Sequence, residues 1–186
     1  MDKDLREWIK GCKRNNREAQ RSLYDRMLPL ALKISIRYAN DEPESLDIVH
    51  DAFIRIFKYI KNFNPRKGNF EAWVRQIVIN VALKKKQQNR LCFPELDQKE
   101  GVFPEVQPSI LAQLHAQDLL NLIQALPEGY RVIFNLSVVE GYAHEEIAEL
   151  LGISESTSRS QLTRAKRKVQ ALLKQQKALE HDGQEK

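Results

Sequence analysis

The stretch that decides the fold reads GYAHEEIAELLGIS over residues 141–154 and ESTSRSQLTRAKRKV over residues 155–169. Gly152 can take the positive φ that ends a first helix, and Ser154 is a good N-cap for a second. Apolar residues recur at helical spacing on both sides of this turn. They are Ile147, Leu150 and Leu151 before it and Leu162, Ala165, Val169 and Leu172 after it. The stretch therefore predicts a helix-turn-helix.

The second helix of this motif has a polar and basic outer face. Seven Lys or Arg and no acidic residue occur from Arg159 to Lys177. An ordinary helical hairpin with a solvated face is the alternative, but such a face usually mixes charges of both signs. We therefore interpret the face as one that reads DNA. It comprises Ser156, Arg159, Ser160, Thr163, Arg164 and Arg167.

Composition and charge place this motif in a helical protein. The chain has 186 residues, of which 42% are hydrophobic and 30% charged, and only seven are Gly and seven Pro. This length suits one large domain or two small ones, and the scarcity of turn residues argues against a β-rich fold. The formal net charge of +5 favours a polyanionic partner. Residues 61–90 hold eight basic side chains and one acid, whereas residues 41–60 hold five acids and two bases.

Breaks in the helical pattern divide the chain into two domains. Residues 1–90 are almost continuously helical in pattern, and residues 91–110 contain three Pro, one Gly and four acids against one Lys, which is typical of a flexible linker. Helical periodicity resumes over residues 111–180, and residues 181–186 are expected to form a disordered tail. The predicted fold is all-α, with two small helical domains joined by a flexible linker and the helix-turn-helix in the second.

Apolar stripes predict three helices between residues 23 and 89. Pro29 should kink the first of them or shift its start, and the second should open at Glu44 or Ser45. After a loop over Asn62–Asn69, a third helix over residues 70–89 should point Asn80 and Lys84–Lys86 outward. The predicted buried positions are Leu23, Met27, Leu30, Ile34 and Tyr38; Leu46, Val49, Phe53, Ile56 and Ile60; and Val74, Ile77, Val78 and Val81.

An acidic face is predicted on the second of these helices. Asp47, Asp51 and Arg55 recur at intervals of four residues, with His50 beside them. The spacing alone favours the plainer interpretation, a solvated face with one Asp51–Arg55 pair, which contributes only ~0.3–0.5 kcal/mol.

The loop before the third helix combines basic and aromatic residues. Arg66 and Lys67 lie between Phe63 on one side and Phe70 and Trp73 on the other. Lys and Arg neutralise phosphates, and aromatic rings accept bases that have left the stack, so the pattern is typical of a surface for unpaired DNA. In the alternative interpretation, Phe70 and Trp73 belong to the core and only the charges are exposed.

Other classes of function find little support. We find no apolar signal-peptide core, no run long enough to cross a membrane, no phosphate-binding glycine loop and no nucleophile elbow. Cys12 and Cys92 lack metal-ligand spacing, and we expect buried or idle thiols in a reducing cytosol. We therefore expect no catalytic residue, no metal, no cofactor and no membrane insertion.

Four segments together resemble bacterial sigma factors of the sigma-70 superfamily, in the compact extracytoplasmic-function (ECF) group. They are Leu46–Phe53, Asn69–Ile77 with Asn80, Leu126–Arg131 and Gly141–Arg164, in matching order and spacing. The resemblance implies a sigma factor that binds core RNA polymerase and directs promoter-specific initiation from −10 and −35 elements. It also implies a cytoplasmic location and, as is common in this group, an anti-sigma factor as a further partner.

Site residues follow from this resemblance and from the charge pattern. The resemblance implies that Asp47, His50 and Asp51 face the polymerase clamp. The set expected at the −10 element is Arg66, Lys67, Asn69, Phe70, Trp73, Gln76, Asn80 and Lys84. The set expected at the −35 element is Ser156, Arg159, Ser160 and Thr163, with Arg164 and Arg167 on phosphates.

Several positions depart from the family pattern. His50 replaces a usual Gln, so the polymerase contact should be sensitive to pH. Ser158 stands at a usually aliphatic core position and should loosen the recognition helix. Ala143 replaces a usual Ser or Thr cap, which leaves Glu145 and Glu146 to favour the helix start electrostatically. Lys84 replaces a frequent Asp and makes its helix more basic. Gln161 replaces a common basic residue, which removes one phosphate contact.

A freestanding helix-turn-helix regulator that never joins polymerase is the alternative function. It accounts for residues 111–180 but gives no role to the acidic helix or the basic aromatic loop. Binding to core polymerase separates the two interpretations.

Overall fold

The structure, a computed structural model, describes residues 2–88 and 116–184. The chain divides into two compact units, Met1–Asn89 and Arg90–Lys186. Every regular element within the described ranges is helical, so the all-α prediction is confirmed. The predicted linker over residues 91–110 lies outside the described residues. No helix in the described part of the chain is both long and apolar enough to span a membrane.

Four helices build the first unit. They are α1 (Lys3–Lys13), α2 (Arg17–Tyr38), α3 (Glu42–Tyr59) and α4 (Phe70–Gln88), with a 3₁₀ turn at Ile60–Asn62. Side-chain oxygens of Asp2, Asn16 and Asp41 accept N–H bonds from the first turns of α1, α2 and α3 at 2.7, 2.8 and 2.8 Å. These caps fix the starts of the three helices because they satisfy backbone donors that have no partner within the helix.

The core of the first unit lies where α2 packs against α1, α3 and α4. Its fully buried side chains include Leu23, Met27, Ile34, Tyr38, Ile48, Ile56, Val74 and Val78. Burial of one such aliphatic side chain contributes about 1.5–3 kcal/mol, so this shared core holds α3 and α4 at the positions where their outer faces meet solvent.

The first unit departs from the sequence-based expectation at three points. α2 begins at Arg17 and continues through Pro29, so the proline does not shift the start of the helix. α3 begins at Glu42 rather than at residue 44 or 45, since Pro43 in the first turn lacks only an N–H that would have had no helical partner. The third point concerns two side chains, one exposed and one buried, whose positions are the reverse of those expected.

Leu46 and Lys86 are these two side chains. Leu46 was expected in the core but is 51% exposed, whereas Lys86 was expected to point outward and is 0% exposed. The Lys86 Nζ donates to Glu44 Oε1 at 2.6 Å, which compensates the buried ammonium. Leu46 lies at the edge of the apolar stripe of α3, whereas Lys86 follows the buried Ala82 by one turn and is held by Glu44.

The second unit contains four described α-helices, and α8 forms its long central element. They are α5 (Ala116–Gln124), α6 (Glu128–Phe134), α7 (His144–Leu151) and α8 (Glu155–Gln184), and a π-helical turn (Asn135–Val139) follows α6. α8 packs against α6 and α7 around Ile133, Phe134, Ile147, Leu162 and Val169, which are all buried. α8 continues to Gln184 in the structure, and the disordered tail expected over residues 181–186 stays a prediction.

Candidate nucleic-acid interface

The turn between α7 and α8 has the geometry predicted for a helix-turn-helix. Gly152 has a φ of 66° in the left-handed region, and the next residue's N–H donates to the carbonyl of Ala148 at 3.1 Å. Ser154 caps α8, because its Oγ accepts from the N–H of Thr157 at 3.0 Å. The predicted roles of Gly152 and Ser154 are therefore confirmed.

The start of α7 compensates for the alanine at its cap position. Ala143 has no side-chain acceptor, but its own N–H donates to Glu146 Oε2 at 2.8 Å. This bond is half of a capping box, in which the residue at the third helical position returns to the cap. Glu146 thus stabilises the helix start through a direct bond as well as through the helix dipole.

Ser158 joins the two helices of the motif. It is 0% exposed, and its Oγ lies 2.8 Å from the Nδ1 of His144 at the first position of α7. Burial and then the charge of Arg159 lower the pKa of His144 below its ordinary 6.5. The serine was expected to loosen the recognition helix, but its hydroxyl instead supplies a polar contact between α7 and α8.

The outer face of α8 presents the predicted DNA-reading side chains. Ser156, Arg159, Ser160 and Thr163 are exposed, and Arg164 and Arg167 are half-buried. The hydroxyls of Ser160 and Thr163 donate to carbonyls of their own helix at 3.0 and 3.1 Å. Since their protons are committed in this way, these two hydroxyls are left to accept rather than donate. Arg159 forms an ion pair with Glu155 one turn earlier.

The outer face of α3 combines carboxylates with exposed apolar residues. The side chains of Asp47 and Asp51 are 75% and 47% exposed, and the Nζ of Lys85 on α4 lies 3.4 Å from a carboxylate oxygen of each. Leu46 and Ile54 are 51% and 54% exposed. His50 is also exposed. We call these five residues of α3 (Leu46, Asp47, His50, Asp51 and Ile54) the α3 face.

The loop before α4 has a fixed backbone and exposed charges. Asn69 caps α4, because its Oδ1 accepts from the N–H of Ala72 at 2.6 Å. Asn64 Oδ1 accepts from the N–H of Arg66 at 3.0 Å. Arg66, Lys67 and Asn69 are exposed. The carboxamide oxygen of Asn69 is therefore occupied in the cap, and its amide nitrogen is the group that remains suited to contact a base.

Phe63, Phe70 and Trp73 form one aromatic cluster. The ring centroids of Phe70 lie 5.0 Å from Phe63 and 5.4 Å from Trp73, and Phe63 and Trp73 are 5.6 Å apart. Phe70 is 1% exposed. The prediction that Phe70 contacts −10 bases is therefore wrong for this structure, since its ring faces the core. Trp73 is half-buried, so both interpretations of this residue keep support.

A cavity of about 600 Å³ lies between α1 and this loop. Its wall includes Arg6, Lys10 and Lys13 of α1 opposite Phe63 and Asn69. The Nζ of Lys13 donates to the carbonyl of Phe63 at 3.0 Å, which ties α1 to the loop. Sequence reasoning missed α1 as part of a site, although the three cations recur at intervals of four and three residues along one side of the helix.

The outer face of α4 continues away from this cavity. Gln76, Asn80 and Lys84 are exposed and recur at intervals of four residues, which places them in one row. The Nε2 of Gln76 donates to the Oδ1 of Asn80 at 3.2 Å. The row thus presents two carboxamides and one ammonium, a combination that suits bases and phosphates at the edge of a duplex.

Comparison with known proteins agrees with this division into two units. Residues 23–91 match the family described as sigma-70 region 2, and residues 116–169 match that described as sigma-70, region 4. The ECF RNA polymerase sigma factor SigW of Bacillus subtilis is 25% identical over an alignment of 189 positions, and the alignment covers 94% of this chain and 98% of that protein. The probable RNA polymerase sigma factor RfaY of Xanthomonas campestris is 29% identical over an alignment of 143 positions, which covers 73% of this chain and 36% of that longer protein.

A solved structure shares the fold. It is the sigma factor RpoE of Bartonella quintana in complex with the anti-sigma factor NepR. It superposes with a TM-score of 0.50 at 23% identity and covers 83% of this chain and 96% of that one.

Proposed function

We propose how this chain, which belongs to the sigma-70 family and to its ECF group, divides promoter recognition between its two helical units. The chain is an RNA polymerase sigma factor, a regulatory and non-catalytic protein that directs transcription initiation. The chemistry of its exposed side chains distinguishes three contact surfaces.

The α3 face binds core RNA polymerase. Two apolar side chains that are about half exposed, Leu46 and Ile54, flank the carboxylates of Asp47 and Asp51. Apolar side chains next to charges of one sign are typical of a protein-binding surface, whereas a merely solvated face needs no exposed Leu or Ile. His50 lies on the same face and completes the contact with the clamp. This face is the observation that favours a sigma factor over a freestanding regulator.

The loop and α4 hold the melted −10 element. Arg66 and Lys67 neutralise phosphates, the amide of Asn69 contacts a base, and the exposed part of Trp73 stacks against the strand. Gln76, Asn80 and Lys84 follow the upstream edge of the duplex. The cationic cavity beside Phe63 supports this assignment, because it offers an aromatic wall and three positive charges to one unpaired strand. The buried ring of Phe70 stabilises this surface through its contacts with Phe63 and Trp73.

The outer face of α8 reads the −35 element in the duplex major groove. Arg159 is exposed in the second turn of the recognition helix, where side chains reach base edges, and a bidentate contact to guanine discriminates by ~1–3 kcal/mol. Ser156, Ser160 and Thr163 line the same face, whereas the half-buried Arg164 and Arg167 suit phosphates. The burial of Leu162, Ala165 and Val169 on the opposite side of α8 supports this assignment, because it leaves the polar side of the helix facing outward.

A binding experiment with core polymerase tests the proposal. Asp47→Asn with Asp51→Asn should leave the fold intact and lower the affinity for core enzyme, with a smaller dependence on salt, because two steering charges are removed. Glu18→Asn with Asp25→Asn is the matched control, since both of these acids are exposed on α2. Equal affinity of the two double variants in a titration against core enzyme would contradict the role of the α3 face.

Two further assignments come from the family. We propose a cytoplasmic location, because a sigma factor acts together with polymerase on promoter DNA. We also propose an anti-sigma factor as a partner, on the model of the Bartonella quintana sigma factor that was solved with one. Competition between such a partner and core enzyme for the α3 face is the property to measure.

A further inference from the structure

Glu155 is an acidic residue on a face that is otherwise built for DNA. It is the first residue of α8 and the one acid between Ser154 and Lys177. Its side chain is 48% exposed and forms an ion pair with Arg159, whose side chain is 63% exposed. The carboxylate therefore lies on the same side of the helix as the arginine that is assigned to base reading.

A carboxylate at this place needs a physical reason. DNA presents a phosphate charge every few ångströms, so an acid on the binding face is repelled unless it meets hydrogen-bond donors. The donors that bases offer in the major groove are the N4 amino group of cytosine and the N6 amino group of adenine, and Glu pairs with the cytosine group. The N-terminal turns of a recognition helix, to which both Glu155 and Arg159 belong, are the part that reaches base edges. The position of Glu155 and the chemistry of its carboxylate therefore both favour a contact with a cytosine amino group.

We propose that Glu155 is a specificity-determining residue that accepts a hydrogen bond from a cytosine N4 amino group in the −35 element. This inference rests on the proposed function of α8. The ion pair adds a second role, because Glu155 holds the guanidinium of Arg159 toward the start of the helix, next to the same base step. The pair thus selects two neighbouring bases, a guanine through Arg159 and a cytosine through Glu155.

A structural role alone makes a different prediction. An exposed ion pair at a spacing of four residues contributes little to stability, and a carboxylate in the first turn only favours the helix dipole. Neither effect depends on DNA sequence. If Glu155 served stability alone, its replacement would change the affinity for every duplex by the same factor.

The test is selection of −35 sequences by reconstituted holoenzyme. Core polymerase with the full chain selects duplexes from a library randomised over the −35 segment, for the natural chain, Glu155→Gln and Glu155→Ala. Glu149→Gln is the matched control, because Glu149 is an exposed acid on α7. Thermal unfolding of each variant verifies that α8 is intact.

We expect the natural chain and Glu149→Gln to select a cytosine at one position. Both Glu155 variants should lose that preference by about 5- to 150-fold, the range of one good base contact, and keep the preferences at distant positions. A uniform change in affinity with an unaltered motif would overturn the inference. If all four proteins select the same motif, the proposed role of α8 in reading the −35 element stands, but Glu155 does not contribute to its specificity and the inference is wrong. Selection of no −35 motif by the natural chain would overturn the proposed function and the inference together.

Discussion

Replacement of Phe70 by Ala tests whether the aromatic cluster supports the DNA surface from within or belongs to it. The ring is 1% exposed and contacts the rings of Phe63 and Trp73 at centroid distances of 5.0 and 5.4 Å. Removing a buried Phe side chain costs about 3–5 kcal/mol, and the two aromatic contacts place Phe70 toward the upper part of that range. For a unit of this size the melting temperature should fall by about 12 °C or more.

Tryptophan fluorescence during urea unfolding measures this change selectively. The chain has two Trp residues, Trp8 and Trp73, and both lie in the first unit. Tyr59→Ala is the control, because Tyr59 is an aromatic side chain of the same unit that is 45% exposed, and its loss should cost no more than about 0.5 kcal/mol. A Phe70→Ala variant as stable as the control, yet unable to melt promoter DNA, would refute the assignment of Phe70 to the core.

Two further predictions concern the loop and the helix-turn-helix. Arg66→Gln with Lys67→Gln should spare duplex binding in a gel shift and reduce the permanganate reactivity of unpaired promoter thymines; normal reactivity would show that the loop is not the melting element. His144 has a pKa below 6.5 in the folded unit, so the unfolded chain binds more protons as the pH falls through 6.5 and the free energy of unfolding should decrease there. Circular dichroism melts of the natural chain and His144→Asn should diverge below this pH, and parallel curves would exclude the effect.

Sequence predicted the parts of this fold that local chemistry determines. The positive φ of Gly152 and the cap by Ser154 follow from properties of those residues alone, and both occur. The exposed row on α4 follows from helical periodicity. These features need no knowledge of a distant part of the chain, which is why one sequence suffices for them.

Features that depend on distant partners escaped prediction. The burial of Lys86 depends on Glu44, a residue 42 positions earlier, and the polar contact of Ser158 depends on His144 in the neighbouring helix. Leu46 was assigned to the core because it is apolar, although its exposure is what gives the α3 face its character. A tertiary partner decides the role of Lys86 and of Ser158, and exposure decides that of Leu46. Spacing along one helix does not contain this information.

Transcription in vitro shows whether the chain directs core RNA polymerase to promoters. Core RNA polymerase is incubated with a library of promoter fragments, with and without the full chain, and the 5′ ends of the transcripts are sequenced. We expect initiation at defined sites, preceded by shared −10 and −35 motifs, only when the chain is present. Unchanged transcripts, together with binding of the chain to the same duplexes without polymerase, would contradict this expectation and would identify a freestanding helix-turn-helix regulator.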